Sequence, residues 1–296
     1  MKLKRILRRI KNRSLILLTA VSPELNAKVV HYFKTGHRLD LNDPKTFTDK
    51  LTVLKIRSYN HDPLVKRCAD KYRARDYVKE KGHGDILNEL IAVYDDVEDI
   101  EWEKLPKQFA MKWNFGSGHN IICADKDKLD IDSAKSKMKK WKNSRQHLQT
   151  AQLQYEIEDK KILVERYLNE KEGVTIPDIK LYCFHGKCRA ILYIAERDRD
   201  PHRAAFFDEN WEYLGQPYRN GVLDRYNSFE VLPKRPERLE EMVRIAEDLS
   251  SGFPFVRIDL YDVNGRIVFG EMTFTPATSH EATECLVHGT DMADLI

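Results

Sequence analysis

The chain has 296 residues, of which 42% are hydrophobic, 33% charged and 10% aromatic, with a net charge of +3. That length buries a substantial core in one large domain or in two to three lobes, and the aromatic and β-branched content excludes a disordered chain. The charge is uneven: the first thirteen residues hold seven bases (Lys2, Lys4, Arg5, Arg8, Arg9, Lys11, Arg13) and no acid. The remainder carries 43 basic against 47 acidic residues and offers no footprint for nucleic acid.

Residues 1–40 read as a basic helical arm. Leu3, Ile6, Leu7 and Ile10 recur at helical spacing opposite the charges, which fits either a solvated basic helix or a peripheral contact with anionic lipid or polymer. The apolar run at 15–21 is shorter than the ~20 residues a membrane span needs, and no signal-cleavage pattern follows it. The five cysteines (Cys68, Cys123, Cys183, Cys188, Cys285) are scattered without a CxxC pair, so a reducing cytoplasm is expected and neither a disulfide framework nor a zinc site is.

Residues 41–105 read as a mostly helical lobe. One helix is expected over 45–57, carrying Phe47, Leu51 and Leu54, and a second over 64–81, stopped by Gly82; residues 90–94 then read as a short buried strand. Residues 106–168 open with a strand at 109–113, followed by the loop Asn114-Phe-Gly-Ser-Gly-His-Asn120 and a strand at 121–124. A basic helix over 133–142 and a strand over 162–168 complete that segment. Residues 169–296 hold strand pairs and a helix over 236–250, with Leu239, Met242, Val243, Ala246 and Leu249 in one stripe and Gly252 after it.

The most informative stretch is the hairpin at 253–274. With odd-numbered residues on one face, Arg257, Asp259, Glu271 and Thr273 come together, while Val256, Ile258, Leu260, Val268, Met272 and Phe274 make the other face apolar. A two-residue Asn-Gly turn would break that parity. The expectation is therefore a three-residue loop, Val263-Asn264-Gly265, with Gly265 left-handed and Asp259 diagonal to Glu271 at roughly 7–8 Å. Paired carboxylates beside an arginine suit a magnesium ion and phosphate oxygens, although a solvated polar face is the competing explanation for the hairpin alone. Lys112 beside Gly116, Ser117 and Gly118 has the chemistry of a phosphate-binding loop, as it has that of a plain turn. Lys71 stands in a similar position: on its own it reads as a solvated helix lysine. His119 reads as a loop residue. Arg197, Arg199, His202 and Arg203 form a basic cluster able to receive a carboxylated substrate, or else a solvated loop.

Taken in order, Asn42-Asp-Pro-Lys-Thr-Phe-Thr-Asp-Lys50, Ala69-Asp-Lys-Tyr72, the glycine loop from Lys112, Asp178-Ile-Lys-Leu-Tyr-Cys-Phe-His-Gly186 and Phe253 through Pro276 resemble the TupA-like ATP-grasp proteins of polysaccharide biosynthesis. The resemblance implies an α+β fold of two lobes gripping ATP, with Mg2+. It implies Lys71 and Lys112 on the phosphates and Gly116, Ser117 and Gly118 as a lid. It further implies Glu165, Arg166, Tyr167 and Leu168 as the adenine hinge, Glu172 at the ribose, and Lys180 near phosphate or substrate. Asp259, Glu271 and Thr273 would hold metal, Thr273 standing where most of the superfamily has Asn, and Arg257 would stabilise developing negative charge. The implied reaction is ADP-forming amide synthesis through an acyl phosphate, between a uronic-acid glycan, read by Arg197 and Arg203, and an amine or amino acid. A glycan kinase and a non-catalytic nucleotide-binding module are the rival classes.

Overall fold

A computed structural model describes residues 2–168, 175–196, 201–216, 226–276, 286–287 and 290–296. The helices α1 (Lys2–Val21) and α2 (Pro23–Thr35) meet at Ser22, whose hydroxyl accepts from the Leu25 amide. Pro23 starts the second helix, and Gly36 closes it at φ 81. α3 (Phe47–Leu54) passes into a π-helical segment, Lys55–Tyr59, where a single helix was expected over 45–57. The helix expected over 64–81 is two: α4 (Pro63–Ala69), capped by the Asp62 carboxylate, and α5 (Ala74–Glu80). The break falls at Asp70, which leaves helical space (φ −79, ψ 114) and accepts from the Tyr72 amide, a local bond that competes with the helical ladder.

Further helices and strands are β1 (Leu90–Tyr94), β2 (Phe109–Trp113), β3 (Asn120–Cys123), α6 (Ile131–Lys142), α7 (Gln146–Gln149), β4 (Ile162–Arg166), β5 (Asp178–Phe184) and β6 (Lys187–Ala195). They continue with β7 (His202–Phe207), β8 (Tyr213–Gly215), β9 (Tyr226–Asn227), α8 (Leu239–Ser250), β10 (Phe255–Val263) and β11 (Arg266–Thr273). This is the expected α+β composition. The chain divides into two compact units.

The first unit comprises residues 1–44, 52–72 and 90–167 and holds a four-stranded antiparallel sheet in the order β1-β4-β2-β3. Phe109, Met111 and Trp113 of β2 are fully buried at every second position, as a strand with one face on a core requires. They pack with Ile162 and Val164 of β4 and with Ala134 and Met138 of α6, and the Trp113 indole donates to the Met138 carbonyl at 3.1 Å. The opposite face of β2 carries Lys112. β1, expected to be buried, is the sheet's edge and is half exposed.

The second unit comprises residues 45–51, 73–89 and 168–296. Its larger sheet runs β11-β10-β5-β6-β7-β8, with β9 paired in parallel to β7. α8 buries Leu239, Met242, Ile245, Ala246 and Leu249; Ile245 rather than Val243 completes the stripe, and the helix begins at Leu239. Each of these buried leucine, isoleucine and methionine side chains contributes about 1.5–3 kcal/mol. Cys183 of β5 lies at the α8 backbone, its thiol 3.7 Å from the Ala246 carbonyl. On the other face of β5 and β10, Phe47 packs against Phe184 and Phe255, with ring centroids 5.8 and 5.3 Å away, and Tyr182 continues the row. The described cysteines Cys68, Cys123, Cys183 and Cys188 are buried and free of disulfides.

Candidate active site

The β10–β11 hairpin closes by a different route from the one its parity suggested. Val263 pairs with Arg266, so the turn is Asn264-Gly265 alone, both left-handed at φ 53 and 71; the three-residue loop is not formed. Parity is restored inside the strand instead. Asp259 pairs with Glu271 while Leu260 pairs with Phe269, leaving Gly270 as the extra residue of a β-bulge. A Cβ at Gly270 would lie 2.9 Å from the Tyr261 ring and 3.0 Å from the Asp259 carbonyl oxygen, so the bulge requires glycine. Two corrections follow. Asp259 and Glu271 are direct cross-strand neighbours rather than diagonal ones, and Phe269, not Val268, sits beside Leu260 on the apolar face.

On the polar face Arg257 grips Asp259 with two bonds, Nε to Oδ1 at 2.6 Å and an Nη to Oδ2 at 2.7 Å. It also donates to the Thr273 hydroxyl at 3.1 Å and lies 3.5 Å from Glu271; the Thr273 hydroxyl donates in turn to Glu271 at 3.2 Å. Lys180, opposite Asp259 in the register, reaches its second oxygen at 2.5 Å and Asp178 at 3.5 Å. Arg257, Asp259, Asp178 and Lys180 are all nearly inaccessible, whereas Glu271 is half-buried. Burial works against the Arg257 charge, but the adjoining Asp259 carboxylate more than reverses that and raises its pKa above the ordinary arginine value. For Lys180 burial dominates, lowering its pKa despite Asp259. Three carboxylates and two cations thus share one surface, with Glu271 as its accessible oxygen donor.

The first unit gathers the other predicted groups around the loop from 114 to 119. Lys112 and Glu165 lie on the same face of adjacent strands and pair at 2.8 Å. Lys71 is tied to the loop twice: its amide donates to the Asn114 carbonyl at 2.9 Å and its ammonium to the Gly116 carbonyl at 2.8 Å. The hub is Asn114, which sequence reasoning assigned no role. Its buried amide donates to both oxygens of Asp70 at 3.0 Å and to the Asp159 carbonyl at 2.9 Å, and its side-chain oxygen accepts from the Lys161 amide at 2.9 Å. No periodicity or spacing flags such a residue, because its partners are 44 to 47 positions away. Gly116 and Gly118 are left-handed (φ 73 and 71), and a Cβ at Gly116 would fall 2.3 Å from the His119 ring. His119 stacks on Trp141 at 5.6 Å; burial, then the nearby Lys71 charge, lowers its pKa and favours the neutral ring. Ser117 and Gly118 are exposed at the loop tip.

Of the remaining predicted residues, Arg166 is exposed at the end of β4, and Tyr167 and Leu168 follow half-buried. Arg203 is held by Glu196 and Glu230, each at 3.2 Å, and by the Ser228 carbonyl at 3.0 Å. Strand alternation puts it on the sheet face of Ile179 and Leu181, away from Asp259; His202 alternates to the Asp259 face. Glu172, Arg197 and Arg199 lie outside the described residues.

A family model for TupA-like ATP-grasp proteins matches residues 49–286, most of the chain and every element just described from α4 to β11. The chain belongs to the TupA-like ATP-grasp family. No curated protein matches it. Solved structures similar to this ATP-grasp chain include D-alanine–D-alanine ligase from Bacillus anthracis, at 22% identity and TM-score 0.43 over 72% of this chain and 58% of that one. Another is the ATP-grasp ligase PsnB complexed with a minimal precursor, Mg and ADP, at 11% identity and TM-score 0.38 over 77% and 58%. A third is D-alanyl-alanine synthetase A from Vibrio cholerae O1 biovar eltor, at 11% identity and TM-score 0.45 over 84% and 70%. The chain therefore spans less than two thirds of the first two of these structures. Among the described residues no helix is long and apolar enough to cross a membrane.

Proposed function

We propose that this chain is an ATP- and Mg2+-dependent carboxylate–amine ligase, ADP-forming, acting on a carboxylated sugar or glycan and an amine or amino acid. The observation that carries the reading is the bulged hairpin. In a chain of the ATP-grasp family, it sets Asp259 and Glu271 side by side with Thr273 and holds them with a buried arginine. These are hard oxygen donors of the kind magnesium takes, and Glu271 keeps an accessible carboxylate for it. When bound, the ion supplies charge neutralisation for phosphate oxygens.

In this reading Asp259, Glu271 and Thr273 hold the metal. Arg257, fixed by two bonds, presents a permanent positive charge that needs no reorganisation as charge develops on the reacting carboxyl. Lys112 uses one of three ammonium donors on Glu165 and offers the others to phosphate oxygens, and Lys71, held at the Gly116 carbonyl, adds a second positive charge beside the loop. The left-handed glycines at 116 and 118 leave the loop amides unshielded for the same anions, the hinge at 165–168 takes adenine, and Lys180 counters charge near Asp259. The substrate carboxylate oxygen attacks the γ-phosphorus as its bond to the ADP oxygen breaks. The amine nitrogen then attacks the acyl carbon, phosphate leaves, and the amine loses a proton. The glycan half of the reading is supported by the family resemblance alone; Arg203 is paired with two glutamates on the face away from Asp259.

The test is phosphate release from ATP with uronic acids paired against amines, with hydroxylamine as trap. A hydroxamate establishes the ligase; phosphorylation of a glycan hydroxyl without hydroxamate makes the chain a kinase. Nucleotide binding with no turnover in any mixture makes it a binding module.

A further inference from the structure

The outward face of α1 is unexplained by any of this chemistry. α1 packs within its unit through the side carrying Leu15, Ile16 and Thr19: the Thr19 hydroxyl donates to the Leu148 carbonyl at 2.5 Å, and the Asn26 amide donates to the Leu15 carbonyl at 2.7 Å. An ordinary surface helix turns its apolar stripe inward and its polar side to water. α1 has a second apolar stripe on the side that does not pack. Ile6, Ile10, Leu17 and Val21 are 51, 56, 68 and 82% exposed, and their spacing places them within about 60° of one another and about half a turn from Thr19. Leu7, also exposed, borders the stripe. Arg9 and Arg13 flank it on one side and Lys11 on the other, all exposed, and α1 contains no acidic residue.

We infer that α1 is an interfacial anchor, seating its outward stripe in an anionic membrane surface with the flanking bases on the lipid headgroups. Charge selects this occupant. A second copy of the chain docked through the same stripe would bring two acid-free basic rims together, which repel, whereas anionic lipid neutralises each rim and accepts the apolar side chains. Length agrees as well: α1 is too polar to span a bilayer and suited to lying in its surface. The inference does not rest on the ligase reading, since no residue of α1 belongs to that site.

The experiment is co-sedimentation of the full chain with vesicles of phosphatidylcholine alone or of phosphatidylcholine with phosphatidylglycerol. The expected result is association with the anionic vesicles alone, weakened by salt. Leu17→Asp and, separately, Ile10→Asp should abolish it while thermal unfolding stays unchanged, because both side chains are exposed. Lys11→Ala with Arg13→Ala should weaken it roughly 30-fold. Failure of the wild type to sediment with anionic vesicles overturns the proposal, as does binding that survives both aspartate variants. A concentration-dependent dimer dissolved by Leu17→Asp, with no vesicle binding, overturns it in favour of self-association.

Discussion

The β2–β3 and β10–β11 hairpins place their glycines differently, and the difference separates two kinds of site. In β2–β3 the glycines lie in a six-residue loop with left-handed backbone; order is supplied by Asn114 at its base and by Lys71 from outside. In β10–β11 the turn is as short as a turn can be, and the decisive glycine is inside the strand, where Gly270 shifts the register and brings Asp259 opposite Glu271. The first hairpin is a grip held by hydrogen bonds. The second is a carboxylate platform held by the buried Arg257–Asp259 ion pair, with Glu271 at its exposed edge.

The platform should be the more fragile under charge removal. Asp259→Ala strands Arg257 and Lys180 in a buried setting and should lower stability by about 3–5 kcal/mol in urea unfolding. Glu271→Gln, at a half-exposed position, should change stability by less than about 0.5 kcal/mol while abolishing Mg-dependent phosphate release. Retained turnover in Glu271→Gln would remove the metal assignment.

The grip's unit carries its own electrostatic cost, which pH can expose. Lys55, buried and donating to the Thr150 carbonyl at 2.9 Å, has its pKa pushed down to about 7, first by burial and then by Lys34. Its folded pKa lies below the unfolded value near 10.5, so the unfolded chain binds more protons in that window and stability should rise with pH through it. The gain from about pH 7 to about pH 10 should be about 3 kcal/mol relative to Lys55→Met, in which this component of the slope disappears. An identical slope in both proteins would show that Lys55 is hydrated.

Smaller effects sharpen the contrast further. Asn114→Ala leaves Asp70 buried without its amide donor and should cost about 2–3 kcal/mol, with faster amide exchange across residues 112–120. Gly270→Ala should cost about 1–3 kcal/mol and impair turnover out of proportion, because relieving the clash with the Asp259 backbone moves the carboxylates. Gly118→Ala should cost about 1 kcal/mol, since open space surrounds it and only the left-handed backbone is penalised. Equal penalties at Gly118 and Gly270 would erase the distinction between loop and platform.

Much of this was legible in the residues. Alternation over 255–274 marks both strands of that hairpin, residues 109–113 read as a strand, and Leu239 to Leu249 mark α8, because burial imposes a period of two or 3.6 on whichever face meets a core. The shared face of Asp259 and Glu271 was also legible, although its cause was not. A glycine within a strand is a sign of a bulge, and Gly270 carries that sign, but the Asn264-Gly265 turn offers a second place to correct the parity. The break at Asp70 was hidden because the helical pattern of 64–81 runs unbroken across it.

By itself, then, the order of residues determined which segments alternate, which coil, where the bases cluster and which acids could share a surface, since these follow from local sterics and from the sorting of side chains by water. Tertiary structure alone decided the pairing of Asp259 with Glu271 through Gly270, the interruption of a helix to satisfy Asn114, and the turning of an apolar stripe of α1 toward solvent. Each of those depends on the neighbours that the fold supplies, and a buried polar group or a crowded Cβ has a cost only once those neighbours are in place.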